Sequence, residues 1–435
     1  MADRDQAAKD VVYSAFGNCG QKCSATSLLI LEREVFEDVH FRDQLVDAAR
    51  SFATGTAWEF HNRMGPMILP PTGELLQALT RLEPGEEWAL KPEGIDGNPH
   101  MWTPGIKWNV QPGSVTHMTE FFGPVLGVMG ADNLDHAISL VNQTGYGLTS
   151  GIESLDLREQ EHWKAHIRAG NLYVNRGTTG AITQRQPFGG MGKSALGPGL
   201  KAGSPDYVTQ FMDIEETAPP ESGVIADETA ILRTAQELRL KVLWGKLKPF
   251  REDIEKTVAA VHSYLYHMER KFSREEDYFH LRGQDNILRY LPVGNMVIRL
   301  HGEDSLFDVL ARVAAARISG CSPVVSIPTD LSNPVTEFLY TFEGREMTAD
   351  VEVAYHHDKV LVDMMPSIDR IRYAAPERVP EAVFRAAAET GFYIARAPVV
   401  MEGRVELLQY FRQQSICNNY HRYGNLGERA IPKDA

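Results

Sequence analysis

The sequence predicts an α/β protein built from two domains, and two observations carry this prediction. From Ile287 onward, short apolar runs typical of strands alternate with stretches whose apolar residues recur at helical spacing. Such alternation indicates βαβ units and a mostly parallel sheet. The segment 215–227 is acidic and contains a Pro-Pro pair, so we interpret it as a linker. We therefore expect a first domain at 1–214 and a second at 228–435.

The composition excludes several classes of protein. The chain has 435 residues, 43% hydrophobic and 23% charged, which is typical of globular proteins. A formal net charge of −14 argues against a nucleic-acid surface, because phosphate binding needs clustered Lys and Arg. No apolar run approaches the roughly 18 residues of a membrane span, and the charged N-terminus does not resemble a signal peptide. Four cysteines form no disulfide pattern, so we expect a cytoplasmic protein, and we predict no metal site.

The first half begins with a helix and a strand that flank a glycine-rich turn. Apolar residues spaced by three or four positions predict a helix from Asp3 to Phe16, and Leu28 begins a short apolar strand. Further helices are expected at 36–52, 132–141 and 157–169, and further strands at 148–152 and 171–174.

The second half contains the strands and helices of the predicted βαβ units. Helices are expected at 228–242, 249–272, 306–318, 334–342 and 381–390. Strands are expected at 287–290, 297–300, 324–327, 351–355, 370–374 and 392–395. No GxGxxG pattern occurs, so the sequence predicts no ordinary dinucleotide fingerprint here.

Cys23 lies at the junction between the first helix and the first strand. Gly20 permits a tight turn there, and nearby backbone N–H groups would lower the pKa of a thiol and bind an oxyanion. The alternative is a buried, inert cysteine that packs as a small hydrophobe. The spacing Phe16-x-x-x-Gly-Gln-x-Cys23 resembles the nucleophile signature of aldehyde dehydrogenases and favours Cys23 as the nucleophile. Cys19 lies outside that position and is expected to be structural, as are Cys321 and Cys417.

Two further segments extend the resemblance to aldehyde dehydrogenases. Met64-Gly-Pro-Met-Ile68 resembles the family's Gly-Pro-hydrophobic-Ile step, and Thr119-Glu-Phe-Phe-Gly-Pro124 follows it. The resemblance implies that Glu120 binds the nicotinamide ribose of NAD and that Phe122 packs beside the nicotinamide. The alternative is a solvated Glu120 beside core aromatics.

A third pair of motifs resembles one branch of that family, the L-glutamate γ-semialdehyde (pyrroline-5-carboxylate) dehydrogenases. Thr179-Gly-Ala181 is followed by Gln186-Pro-Phe-Gly-Gly190. The resemblance implies that Ser24, Gly180, Ala181 and Phe188 hold the amino-acid end of the semialdehyde. This is chemically reasonable, because a carboxylate needs N–H and O–H donors and an aliphatic stem suits an aromatic wall. An ordinary glycine-rich turn cluster is the alternative.

Over nearly its full length the chain is similar to the C-terminal part of long-type proline utilization A. The resemblance implies an aldehyde dehydrogenase catalytic domain that lacks most of its cofactor domain, followed by a Rossmann-like, non-catalytic domain. It also implies a strand at 207–214 that pairs subunits into a homo-oligomer. The segment 415–429 resembles the family motif that covers the tunnel for the intermediate, although a frayed terminus is the alternative.

Two functions remain open from the sequence. In the first, the chain is part of an enzyme that oxidises glutamate semialdehyde through Cys23, and a partner chain carries the proline dehydrogenase and cofactor domains. The oxyanion-hole Asn and the general-base Glu of the family are not recognised here, so we expect no activity from the chain alone. In the second, it is a non-enzymatic assembly or tunnel-covering fragment. A neighbouring reading frame that encodes the missing motifs would favour the first, and a pseudogene-like neighbourhood the second.

Overall fold

The chain folds into two compact units, each built from non-contiguous segments. The computed structural model describes residues 2–225, 230–242, 247–349 and 351–421. Unit one contains the described residues of 1–195, 277–288 and 415–435, and unit two contains those of 196–276 and 289–414.

Helices and strands alternate along most of the chain. The α-helices are α1 Arg4–Phe16, α2 Arg33–Phe36, α3 Val39–Arg50, α4 Gly73–Thr80, α5 Val115–Met118, α6 Leu134–Gln143, α7 Leu157–His166, α8 Ala230–Val242, α9 Arg251–His267, α10 Leu306–Ile318, α11 Pro334–Leu339, α12 Phe342–Met347, α13 Asp358–Met364, α14 Glu381–Thr390 and α15 Gly403–Glu406. The strands are β1 Leu28–Glu32, β2 Glu87–Leu90, β3 Gly94–Ile95, β4 Asn98–Trp102, β5 Gly105–Trp108, β6 Val125–Ala131, β7 Thr149–Ile152, β8 Asn171–Val174, β9 Glu276–Asp277, β10 Gln284–Pro292, β11 Asn295–Arg299, β12 Ser322–Pro328, β13 Glu352–His356, β14 Arg370–Arg372, β15 Ile394–Ala395 and β16 Phe411–Asn419.

The first sheet of unit one contains β1, the strand that follows the Cys23 turn in the chain. Its strand order is β1-β6-β5-β2, in which β1, β6 and β5 are parallel and β2 is antiparallel to β5. The core of this part includes the fully buried side chains of Phe16, Leu45 and Leu126. Asp3 caps α1 by accepting the N–H of Gln6 at 3.2 Å. Helix α1 and strand β1 thus hold both ends of the Cys23 turn.

The second sheet of unit one contains a strand that the sequence analysis missed. Its order is β7-β8-β16-β10-β9, and residues 415–418 of β16 pair in parallel with β8. Ser415, Ile416 and Cys417 are each at most 1% exposed. The tail segment therefore builds the sheet at 415–419, although its many Asn, Tyr, His and Arg residues predict a cap on a polar interface. Residues 422–429 of the predicted tunnel-covering motif lie outside the described residues.

Unit two contains a parallel sheet of order β13-β12-β11-β14-β15. The first strand in chain order lies at the centre, with two strands on one side and two on the other, which is the order of a doubly wound, Rossmann-like half. Helix α10 begins with a capping box between Ser305 and Asp308. The prediction of a second α/β fold with a parallel sheet is confirmed.

Two predictions about local structure need correction. The expected strand at 207–214 is wrong, because Tyr207–Phe211 is a short 3₁₀ helix. The N–H and the hydroxyl of Thr209 both donate to the carbonyl of Asp206, which closes a turn. The helix expected at 36–52 is α3 at Val39–Arg50, and the short helix α2 at Arg33–Phe36 precedes it.

The predicted domain limits also differ from the observed units. Residues 277–288 and the described residues from 415 onward group with unit one, because β10 and β16 belong to its second sheet. The linker at 215–227 stays a prediction. Among the described residues, no helix is long and apolar enough to cross a membrane.

Candidate active site

The turn that precedes Cys23 has an unusual backbone. Asn18 and Cys19 have φ of 56° and 59°, in the left-handed region that non-glycine residues rarely occupy. The side-chain amide of Asn18 donates to the carbonyl of Gln21 at 3.0 Å, and the N–H of Gln21 donates to the carbonyl of Asn18 at 3.0 Å. These hydrogen bonds hold the strained turn, and such strain concentrates at functional sites.

Cys23 is the exposed thiol among the four cysteines. It lies in a turn closed by the N–H of Ala25, which donates to the carbonyl of Lys22 at 2.9 Å. Cys19, Cys321 and Cys417 are buried. Burial raises the pKa of the Cys19 thiol to about 12 and raises the pKa of the other two buried thiols as well. The predicted structural role of Cys19 agrees with its burial.

Gln21 joins three of the segments singled out in the sequence. Its side-chain amide donates to the carbonyl of Phe122 at 3.2 Å, and its side-chain oxygen accepts the N–H of Ile68 at 2.9 Å. The Gly-Pro-hydrophobic-Ile step and the Glu-Phe-Phe-Gly segment therefore lie beside the nucleophile turn. Glu120 and Phe122 are both exposed. Phe122 also adopts a left-handed φ of 56°.

Thr178 links the predicted substrate loop to the segment that follows Cys23. Its hydroxyl donates to the carbonyl of Ser24 at 2.8 Å and lies 3.0 Å from the hydroxyl of Thr26. Its N–H donates to the hydroxyl of Ser14 at 3.0 Å. Ser24 is buried.

The loop after β8 presents the other predicted substrate residues. Gly180 is exposed with φ of 82°, and Ala181 and Phe188 are half-buried. Asn171 fixes the Phe188 backbone from both sides, since its amide donates to the carbonyl of Pro187 and its oxygen accepts the N–H of Gly189. The structure thus places Ser24, Gly180, Ala181 and Phe188 in segments held by Thr178 and Asn171.

Tyr173 is a neighbour of the nucleophile that the sequence analysis missed. Burial raises the pKa of its hydroxyl to about 12, and the nearby Cys417 and Cys23 add to that rise. The guanidinium of Arg176 lies 4.9 Å from the centre of the Tyr173 ring. In the sequence, Tyr173 looks like any aromatic residue of a buried strand, so no pattern singles it out.

Strand β16 is hydrogen-bonded to the predicted substrate loop through Cys417. The thiol of Cys417 accepts hydrogen bonds from Arg176 at 3.0 Å and from Gln186 at 3.3 Å. The same guanidinium also donates to the carbonyl of Thr179, directly before Gly180. Cys417 is thus buried as predicted, but it also anchors two polar side chains of the loop.

Comparisons with known proteins identify relatives of the first half of the chain. The family model described as "Aldehyde dehydrogenase family" matches residues 1–217. Residues 1–217 are an aldehyde dehydrogenase family domain. The 1-pyrroline-5-carboxylate dehydrogenase of Bacillus subtilis (strain 168) is 34% identical over 218 residues, which cover 50% of this chain and 42% of that protein. The enzyme of the same name from Geobacillus thermodenitrificans is 37% identical over 214 residues, covering 48% of this chain and 40% of that protein.

A solved structure extends the similarity beyond the aldehyde dehydrogenase domain. Proline utilization A from Corynebacterium freiburgense superposes with a TM-score of 0.76 at 36% identity, over 98% of this chain and 38% of that one. The predicted resemblance to the C-terminal part of proline utilization A is confirmed, and so is the predicted fold class. The chain spans less than half the length of each of these relatives.

Proposed function

We propose that the chain is the nucleophile-bearing part of an NAD-dependent dehydrogenase for L-glutamate γ-semialdehyde. The observation that carries this proposal is the pair of hydrogen bonds by which Gln21 holds Ile68 and Phe122 beside the exposed Cys23. Relatives that bear the name 1-pyrroline-5-carboxylate dehydrogenase support the choice of substrate.

Cys23 performs the covalent step in this proposal. Its thiolate attacks the aldehyde carbon, so a C–S bond forms and the carbonyl oxygen becomes an oxyanion. Within the part of the chain that the structure describes, the N–H of Cys23 donates no hydrogen bond to another backbone group. It is therefore available to an oxyanion. Once a hydride has left the thiohemiacetal carbon for the acceptor that bound NAD would supply, the adduct would be a thioester, and water would cleave it to release glutamate and return the Cys23 thiol.

Glu120 and Phe122 are the residues of this chain that would hold the nicotinamide end of NAD. Both are exposed beside the nucleophile turn, where a carboxylate can accept ribose hydroxyls and a phenyl ring can pack on a flat heterocycle. When bound, NAD supplies the acceptor for the hydride that leaves the thiohemiacetal carbon. We expect the second oxyanion donor, the general base and the phosphate contacts to come from the cofactor domain of a partner chain.

The amino-acid end of the substrate would bind in the loop after β8. The proposal gives Gly180 and Ala181 the carboxylate, through backbone N–H groups, and gives Phe188 the aliphatic stem. Ser24 would add a hydroxyl donor. The support is that Thr178 and Asn171 fix the segments that carry these residues.

The test measures NAD reduction with glutamate semialdehyde by absorbance. One sample is the 435-residue chain alone, and the other is the chain fused behind the part of the Bacillus subtilis relative that precedes the matched region. We expect turnover from the fusion and its loss in Cys23→Ser, whereas the chain alone shows none. Turnover that survives Cys23→Ser would rule out Cys23 as the nucleophile, and a fusion that folds and binds NAD but shows no turnover would favour a non-enzymatic assembly fragment.

A further inference from the structure

Unit two contains a cluster of side chains that the proposed chemistry does not use. Among the described residues, Glu221, His267 and Glu402 are the group of His, Cys, Asp and Glu side chains placed closely enough to hold a metal ion. One ligand atom from each lies within 4.8 Å of the other two. The sequence predicts no metal site, because these three residues lie too far apart in the chain to show a ligand spacing.

His267 supplies the buried member of this cluster. It is the last residue of α9, and its side chain is only 7% exposed. Its Nε2 atom makes no hydrogen bond, although Glu402 Oε1 lies at 2.8 Å and Glu221 Oε2 at 3.7 Å. A buried ring nitrogen without a hydrogen bond is unfavourable unless another partner is present.

The two carboxylates are held in place by backbone groups. Glu402 caps α15, where its Oε1 accepts the N–H of Arg404 at 3.3 Å and its Oε2 accepts the N–H of Glu221 at 2.9 Å. Glu216 holds the backbone next to Glu402, since its carboxylate accepts the N–H groups of Met401 and Glu402. The cluster is therefore organised by contacts that do not depend on an ion.

We propose that Glu221, His267 and Glu402 bind a divalent transition-metal ion of the Zn²⁺ type, with water at the remaining position. One imidazole with two carboxylates is a donor set that suits such ions. Metal–ligand bonds of about 2.1 Å in a tetrahedron place the ligand atoms about 3.4 Å apart. The observed separations of 2.8 and 3.7 Å lie on either side of this value. The ion would tie the 216–221 segment to the end of α9 and the start of α15.

Binding of Zn²⁺ alone to the full chain tests the proposal. Titration calorimetry and metal analysis after dialysis are done in a Cys23→Ser background, because the exposed thiol of Cys23 can bind Zn²⁺ itself. We expect one equivalent of Zn²⁺, an unfolding temperature that rises with Zn²⁺ and falls with chelator, and a Co²⁺ derivative with visible d–d absorption.

Matched variants separate this site from other ligands on the protein. Glu221→Gln changes an exposed side chain and should weaken Zn²⁺ binding by at least about 10-fold without loss of the fold. His267→Gln should abolish binding. His262→Gln on the same helix and Glu269→Gln in the following turn should leave it unchanged. The proposal would be overturned if calorimetry showed no binding of Zn²⁺, Co²⁺ or Mn²⁺. It would also be overturned if Glu221→Gln and His267→Gln bound Zn²⁺ as tightly as the parent protein does. Either result would leave a metal-free His267–Glu402 pair.

Discussion

Gly20 packs against the carbonyl oxygen of Gly123 so closely that no side chain fits at position 20. A Cβ built on Gly20 would lie 2.2 Å from that oxygen, and the φ of Gly20 is +68°. This contact and the hydrogen bond from Gln21 to Phe122 join the nucleophile turn to the Glu120–Phe122 segment. In this chain, therefore, steric contact explains why the Gly-Gln-x-Cys pattern has glycine at position 20.

Gly20→Ala should lower the free energy of unfolding by at least about 2 kcal/mol, because it combines a backbone clash with a disfavoured φ. Urea unfolding measures the change. Gly17→Ala is the matched control, since Gly17 has φ of −53° and a Cβ there meets nothing within 4 Å. Equal losses in the two variants would contradict the steric argument.

Cys23 should react with iodoacetamide at neutral pH faster than the other cysteines by about 100-fold or more. The reason is access together with protonation, because burial shields Cys19 and raises the pKa of its thiol to about 12. Peptide mass spectrometry over a time course gives the rate at each thiol. Labelling of Cys19, Cys321 or Cys417 at the rate of Cys23 would rule out Cys23 as the selectively reactive thiol.

Gln21→Ala should loosen the segment around Ile68 while the fold is retained. The variant loses two partly exposed hydrogen bonds, each worth about 0.5–1.5 kcal/mol. Amide hydrogen exchange at Ile68 should become faster, since its N–H loses its acceptor. Gln44→Ala breaks another side-chain hydrogen bond of unit one, to Asp5, and should leave Ile68 unchanged. If the exchange rate at Ile68 is the same in the original chain, Gln21→Ala and Gln44→Ala, Gln21 does not fix this segment.

The sequence predicts those elements whose apolar residues are almost continuously buried. Helix α10 was predicted at 306–318 and is observed at Leu306–Ile318, and β8 was predicted at 171–174 and is observed at Asn171–Val174. Both elements have apolar side chains in the core. The motif spacing likewise identified three segments that Gln21 joins.

Strand β16 could not be predicted in this way, because its buried side chains are mostly polar. Gln413 bonds to Asp206 and to the N–H of Lys201, and Gln414 accepts from Arg289. Partners distant in sequence satisfy these groups, so no alternation of polar and apolar residues marks the strand. The proposed metal cluster was missed for the same reason, since its members become neighbours only in the fold.

Phe188→Ala should reduce kcat/KM for glutamate semialdehyde more than for propanal in the fusion enzyme. If the ring contacts the aliphatic stem, the difference should be about 1–3 kcal/mol in transition-state binding. Steady-state NAD reduction with both aldehydes measures it. An equal loss for both substrates would mean that Phe188 supports the loop between Pro187 and Gly189 and does not select the substrate.

Lys201 should make the stability of the chain depend on pH. It is 1% exposed, and burial lowers the pKa of its ammonium from 10.5 to about 7. Between pH 7 and the unfolded pKa, the unfolded chain therefore binds a proton at Lys201 that the folded chain does not. This contribution to the free energy of unfolding should rise with pH in that window, by up to about 1.4 kcal/mol per unit, and should level off below pH 7.

Lys201→Met isolates this contribution, because methionine keeps an apolar stem but binds no proton. Urea unfolding of both proteins between pH 6 and about pH 9.5 gives the difference in free energy at each pH. We expect the free energy of unfolding of the original chain to increase relative to that of the variant as the pH rises above about 7. Groups common to both proteins, such as the buried thiol of Cys321, cancel in that difference. A difference that stays constant across the range would mean that Lys201 keeps an ordinary pKa despite its burial.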